Sequence, residues 1–211
     1  MGSIDSIRTR IKPFLEYLHQ EKEKISYLQL IGKLEEFLVK EFCYFIFTNS
    51  EGMECAVVNM GSRKTKEQEI DICILSGTSL DDPEIICLIE AKYFRNRHRF
   101  RQYNATDEIT TTMKSLNKQM HNYNVDTHGW FKVSSKVTKI FGLVFASYVS
   151  EEQNTQEKQN YYQRILKAAK EKIEDLVVID NMFEDIYDEV VINLFDKTFY
   201  VSLKAGLWEK S

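Results

Sequence analysis

Ile70-Asp71-Ile72-Cys73-Ile74-Leu75 and Ile85-Ile86-Cys87-Leu88-Ile89-Glu90-Ala91-Lys92 decide how this 211-residue chain reads. Both runs are rich in isoleucine. The second is nearly continuous in apolar residues, the mark of a strand covered on both faces. Side chains alternate along a strand, so Glu90 and Lys92 point to one face. Burying either alone is expensive. With Asp71 facing them from the neighbouring strand, two carboxylates and an ammonium converge. Two carboxylates that close repel each other unless a divalent cation lies between them, and a hard, oxygen-ligated Mg²⁺ is the natural occupant. Lys92 then stands beside the metal, placed to orient an attacking water or to stabilise negative charge on phosphorus. The alternative is a turn network at Asp71 and a plain same-face pair of Glu90 and Lys92 at the mouth of the sheet.

Upstream, residues 4–23 carry Ile4, Ile7, Ile11, Phe14, Leu15 and Leu18 at helical spacing, with Pro13 predicting a kink or a break. A second helix is predicted over Ser26–Phe42, with Ser26 as N-cap. Cys43–Thr48 and Met53–Met60 read as strands around the turn Asn49–Gly52. Downstream, a helix is predicted over Ala105–Tyr123 and a polar loop over Asn124–Ser135. A buried strand follows in Val137–Val149 and a helix over Gln153–Lys172. A short strand at Leu176–Ile179 precedes a hairpin turning at Asp196-Lys197. The order predicts an α/β chain with a mixed sheet rather than a strict βαβ array. Residues 1–25 read as an N-terminal helical extension and 26–211 as a single domain ending in a β hairpin.

Composition bounds the function. The chain is 43% hydrophobic and 28% charged, with two prolines and eight glycines, which suits a packed core and excludes low-complexity and collagen-like classes. A net charge of −4 argues against a surface that coats nucleic acid throughout, but not against one basic strip. That strip is Arg95-Asn96-Arg97-His98-Arg99-Phe100-Arg101. Its arginine forks suit phosphate oxygens, and Tyr93, Phe94 and Phe100 suit stacking on bases. A solvated loop or a contact to an acidic surface, such as Glu171–Glu189, is the competing reading. Glycine-rich nucleotide motifs and serine-nucleophile motifs are absent, and the four histidines form no metal-binding spacing. Cys43, Cys55, Cys73 and Cys87 make no C-x-x-C pair and read as small core residues. No apolar run approaches a membrane span and no signal peptide is visible, so a cytoplasmic protein without membrane contact is expected.

The run Asp71…Glu90-Ala91-Lys92 resembles the PD-(D/E)XK, or restriction-endonuclease-like, nuclease superfamily, with Ile70 where that motif has proline. Gly32–Val39 resembles the first helix of the family, Glu35 matching its glutamate better than Glu36. Gln119-Met120-His121-Asn122-Tyr123 resembles the Q-x-x-x-Y motif of the exonuclease-like branch. The likeness covers roughly residues 26–148. It implies a restriction-endonuclease-like core and a Mg²⁺- or Mn²⁺-dependent nuclease hydrolysing phosphodiester bonds, in DNA rather than RNA. It implies Asp71, Glu90 and Glu35 as metal ligands with the Ala91 carbonyl as a further one. Lys92 would polarise water, Gln119 and Tyr123 would shape the site, and Arg95, Arg97, Arg99 and Arg101 would hold the strand. Anti-phage defence or DNA repair is the implied setting, as a homodimer or a subunit of a larger complex. A nuclease-fold subunit that binds nucleic acid without cutting is the alternative.

Overall fold

The computed structural model describes residues 4–50, 54–61, 69–77, 82–96, 105–120, 127–128, 131–137 and 139–210. Three helices come first: α1 (Ile4–Gln20), α2 (Lys22–Ile31) and α3 (Leu34–Asn49). Strands β1 (Cys55–Gly61), β2 (Glu69–Ser76) and β3 (Glu84–Arg95) lead to helix α4 (Ala105–Gln119). Two short strands, β4 (Thr127–His128) and β5 (Phe131–Val133), precede β6 (Ile140–Ser150). Helix α5 (Thr155–Lys172), β7 (Leu176–Leu194) and β8 (Lys197–Lys210) complete the chain.

The α/β expectation with a mixed sheet holds. Among the described residues, eight strands form one sheet in the order β1-β2-β3-β6-β8-β7, with β5 beside β3 and β4 beside β5. β3 runs parallel to β6 and to β5, and the other pairs are antiparallel. On one face, Ile7, Phe14, Leu34, Leu38 and Phe42 from α1 and α3 pack on Ile72, Ile74 and Ile89 of the sheet. The first helix therefore belongs to the main core. On the other face, Met113 and Leu116 of α4 and Tyr161, Tyr162 and Ile165 of α5 cover Phe94, Val144 and Trp208. Among the described residues, no helix is long and apolar enough to cross a membrane.

Several local expectations are corrected. Pro13 lies inside one continuous α1. The helix predicted over Ser26–Phe42 is two helices, because Gly32 adopts φ 76° and closes α2. The Gly32 and Lys33 N–H groups donate back to Gln29 and Leu28, a helix stop that favours glycine. Ser26 is not an N-cap; it is buried within α2, its hydroxyl donating to the Lys22 carbonyl at 2.7 Å. Cys43–Thr48 is helical. Leu38, Phe42 and Ile46 continue the buried stripe at four-residue spacing, and Tyr44 and Phe47 face solvent. The C-terminal turn is Phe195-Asp196, one residue earlier than expected, since Leu194 pairs with Lys197. β4 and β5 occupy part of the segment read as a polar loop. The cysteines are free thiols, with Cys73 and Cys87 fully buried.

A buried polar network ties the layers together. Gln29 of α2 donates to the Ser147 hydroxyl of β6 at 2.6 Å and to the Ser202 carbonyl of β8 at 3.0 Å. Its carbonyl oxygen accepts from the Tyr187 hydroxyl of β7. From the far side, Tyr162 of α5 pairs with the Ser202 hydroxyl at 2.8 Å.

Candidate active site

The two strands that carry the charges part company at the charges. β2 and β3 pair from Ser76↔Glu84 to Ile72↔Ile89. Beyond that point Ile70 and Glu69 pair with Met60 and Gly61 of β1. The next N–H of β3, that of Ala91, is taken by the Asp71 side chain, with Oδ2 at 2.9 Å. The Asp71 carboxylate therefore stands in for a rung of the ladder and lies between Glu90 and Lys92. Alternation places Glu90 and Lys92 on the side of Leu88 and Phe94, the α4 face, whereas Ile89 and Tyr93 belong to the α1–α3 face.

Glu90 is 1% exposed. Its Oε1 accepts from the Lys92 ammonium, and its Oε2 is buried with no hydrogen-bond partner among the described residues. Burial pushes the Glu90 carboxyl up to about 7. The Lys92 ammonium opposes that rise, while Asp71 adds to it by repulsion and by accepting the proton when Glu90 carries one. A buried acceptor left open beside a second carboxylate is the donor chemistry a hard divalent cation satisfies. Asp71, Glu90 and, from the strand backbone between Glu90 and Lys92, the Ala91 carbonyl are the oxygens that would hold it. The Lys92 side chain is 18% exposed, so its ammonium joins the carboxylate to the opening between β2 and β3.

The remaining expected site residues are dispersed. Glu35, in the first turn of α3, is exposed and shares a cavity with Tyr93 and Arg95. It is not brought to Asp71 and Glu90, because α3 packs on the opposite face. Among the described residues, no three of His, Cys, Asp and Glu gather closely enough to hold a metal ion. Gln119 ends α4 and accepts from the Ser115 hydroxyl at 3.2 Å. Its neighbour Met120 lies over Gly142, the β6 partner of Glu90. A Cβ at Gly142 would stand 2.9 Å from the Met120 sulfur, so glycine is what lets the end of α4 approach the sheet beside the carboxylates. Tyr123, Arg97, Arg99 and Arg101 lie outside the described residues.

Arg95 is the last residue of β3 rather than part of a loop. Its guanidinium lies against Gly32, where a Cβ would come within 2.6 Å of Nη1, and Nη2 reaches the Leu30 carbonyl at 3.4 Å. A cation at the C-terminus of α2 suits the helix dipole. Asn96, unmarked by the sequence reading, is buried and exchanges two hydrogen bonds with the Val149 backbone, at 2.8 and 2.7 Å. It pins the end of β3 to β6. The one sequence signal for it is a carboxamide immediately after a strand.

Comparison of the chain with family models, with curated proteins and with solved structures gives no match.

Proposed function

We propose that this chain is a Mg²⁺- or Mn²⁺-dependent nuclease of the restriction-endonuclease-like type, hydrolysing phosphodiester bonds in DNA. One observation carries the reading: Asp71, Glu90 and Lys92 converge where β2 and β3 separate, and a buried Glu90 oxygen is left open there. The order α3-β1-β2-β3-α4-β6 also agrees with the order that the sequence resemblance implies. Asp71 and Glu90 would hold the cation, which would supply Lewis-acid chemistry there. The protein's own part is positional. The Ala91 N–H fixes the Asp71 carboxylate. Glu90 would hold the cation in its deprotonated form, and Lys92 would present an ammonium where negative charge builds on the phosphoryl oxygens.

The test is cleavage of linear, circular and single-stranded DNA and of RNA, with Mg²⁺, Mn²⁺ or EDTA. Metal-dependent cleavage that disappears in Lys92→Ala and Asp71→Ala is the expected result. Cleavage unchanged in both variants sinks the reading. A second reading, a nuclease-fold chain that binds nucleic acid without cutting, is favoured by the placement of Glu35 away from the pair. Salt-sensitive binding without cleavage in any metal would select it.

A further inference from the structure

The ends of β3 and β6 meet the β7–β8 turn around a cavity of about 630 Å³, a size typical of small-ligand sites. Its lining is mixed. Leu30, Ile31 and Phe195 are among its apolar lining residues, and Arg95, Glu35 and Glu108 among its charged ones. Two of the apolar residues are open to solvent, Ile31 at 64% and Phe195 at 86% exposure.

Phe195 is the unusual member. It and Asp196 form a two-residue turn with φ 52° and 57°. Positive φ at both positions marks a type I′ turn, where Asn and Gly are favoured because a side chain on the β-carbon crowds the neighbouring carbonyl. An aromatic ring there carries backbone strain and gains almost no burial. Strain held at an exposed aromatic on the mouth of a cavity points to a ligand that the ring contacts.

The charged lining narrows the ligand class. Two carboxylates and one guanidinium in one lining make a poor phosphate site. They suit the amino and imide edges of a base, with Glu35 and Glu108 accepting and Arg95 donating. The exposed Phe195 ring and Ile31 in the same lining suit its flat face. Arg95 is three residues from Lys92, about 10 Å along β3. Alternation turns Lys92 and Arg95 to opposite faces of β3, so a nucleic-acid strand reaching both must pass round the β2 side of β3, where no described strand pairs beyond Ile89.

We propose that this cavity receives one unpaired base of a single-stranded nucleic acid, with Phe195 as its stacking platform. The substrate class rests on the nuclease reading. The test is equilibrium binding of the full chain to a labelled single-stranded DNA oligonucleotide, its duplex and a mononucleotide, at fixed salt in EDTA, where cleavage plays no part. Phe195→Asn relieves the turn, so its Tm is expected to equal or exceed that of the wild type. Its single-strand affinity is expected to fall about five- to hundredfold, the span of one base–aromatic stack. Phe195→Trp is expected to keep the affinity, and duplex binding to be unaffected by either change. Single-strand affinity unchanged in Phe195→Asn overturns the proposal, as does a wild type that binds no oligonucleotide. A mononucleotide bound as tightly as the oligonucleotide overturns it in favour of a free nucleotide. A wild type that shows the Phe195 dependence yet cuts nothing in Mg²⁺ or Mn²⁺ fails the nuclease reading alone.

Discussion

Gln29 and Glu90 are both buried polar residues, 0% and 1% exposed, and the protein treats them oppositely. Around Gln29 both ends of the carboxamide find partners, on three different strands. Around Glu90 one oxygen is paired and the other is left open beside a like charge. A satisfied network inside a low-dielectric core holds layers together. At Glu90 the open oxygen and the repulsion from Asp71 do the reverse, since the Lys92 ammonium offsets them only in part. The first region adds to stability, and the second costs stability at neutral pH.

The sharpest way to break that contrast is at the ammonium. Lys92→Ala is expected to lower the cleavage rate by about 10²–10³-fold, the effect of removing one charge-stabilising donor. Far-ultraviolet circular dichroism should stay that of the wild type, and single-turnover kinetics would read the loss. Glu90 gives the next largest effect. Its folded pKa of about 7 lies above its ordinary 4.5. The proton-bound form is therefore the one that folding favours, and that contribution is fully present below about pH 4.5 and lost as pH rises through about 7. Glu90→Gln should match the wild type near pH 4.5 and exceed it in stability at pH 8 by roughly 3 kcal/mol, read by urea denaturation in EDTA. Adding Mn²⁺ at pH 8 should raise the wild-type Tm and leave that of Glu90→Gln almost unmoved.

The Gln29 region should respond in the opposite sense. Gln29→Leu strands the Tyr187 hydroxyl and the Ser202 carbonyl and should cost about 2 kcal/mol at every pH, without changing Mn²⁺ affinity measured by calorimetry. Ser147→Ala removes one acceptor and leaves Gln29 its bond to Ser202. A loss of about 1 kcal/mol is expected in chemical denaturation. A pH-dependent loss in either variant would mean that the two regions are not separate.

What the sequence disclosed follows the same division. β2, β3 and β6 were readable because their burial on both faces demands unbroken apolar runs. That Glu90 and Lys92 share a face followed from strand alternation, whereas the place of Asp71 depended on a strand register that alternation does not set. Cys43–Thr48 misled because Tyr44 and Phe47 are apolar yet exposed, which hides the four-residue spacing of Phe42 and Ile46. Glu35 misled because a motif on a helix does not reveal which face of the sheet the helix covers. The Gln29 network was invisible, since its partners lie more than a hundred residues away in the chain. Phe195 escaped notice because the turn was placed one residue late, and only the backbone angle marks it.

The position of β8 has a consequence for how the chain is made. Asp71, Glu90 and Lys92 all lie in the first half of the sequence, and β3 finds β6 soon afterwards. Yet β6 sits between β3 and β8, and β8 is the last strand. During synthesis one edge of a strand that is apolar on both faces has no partner until Lys197–Lys210 has left the ribosome, and an open edge of this kind invites pairing with other chains. A premature stop after α5 would therefore yield a polypeptide that carries Asp71, Glu90 and Lys92 but aggregates through β6.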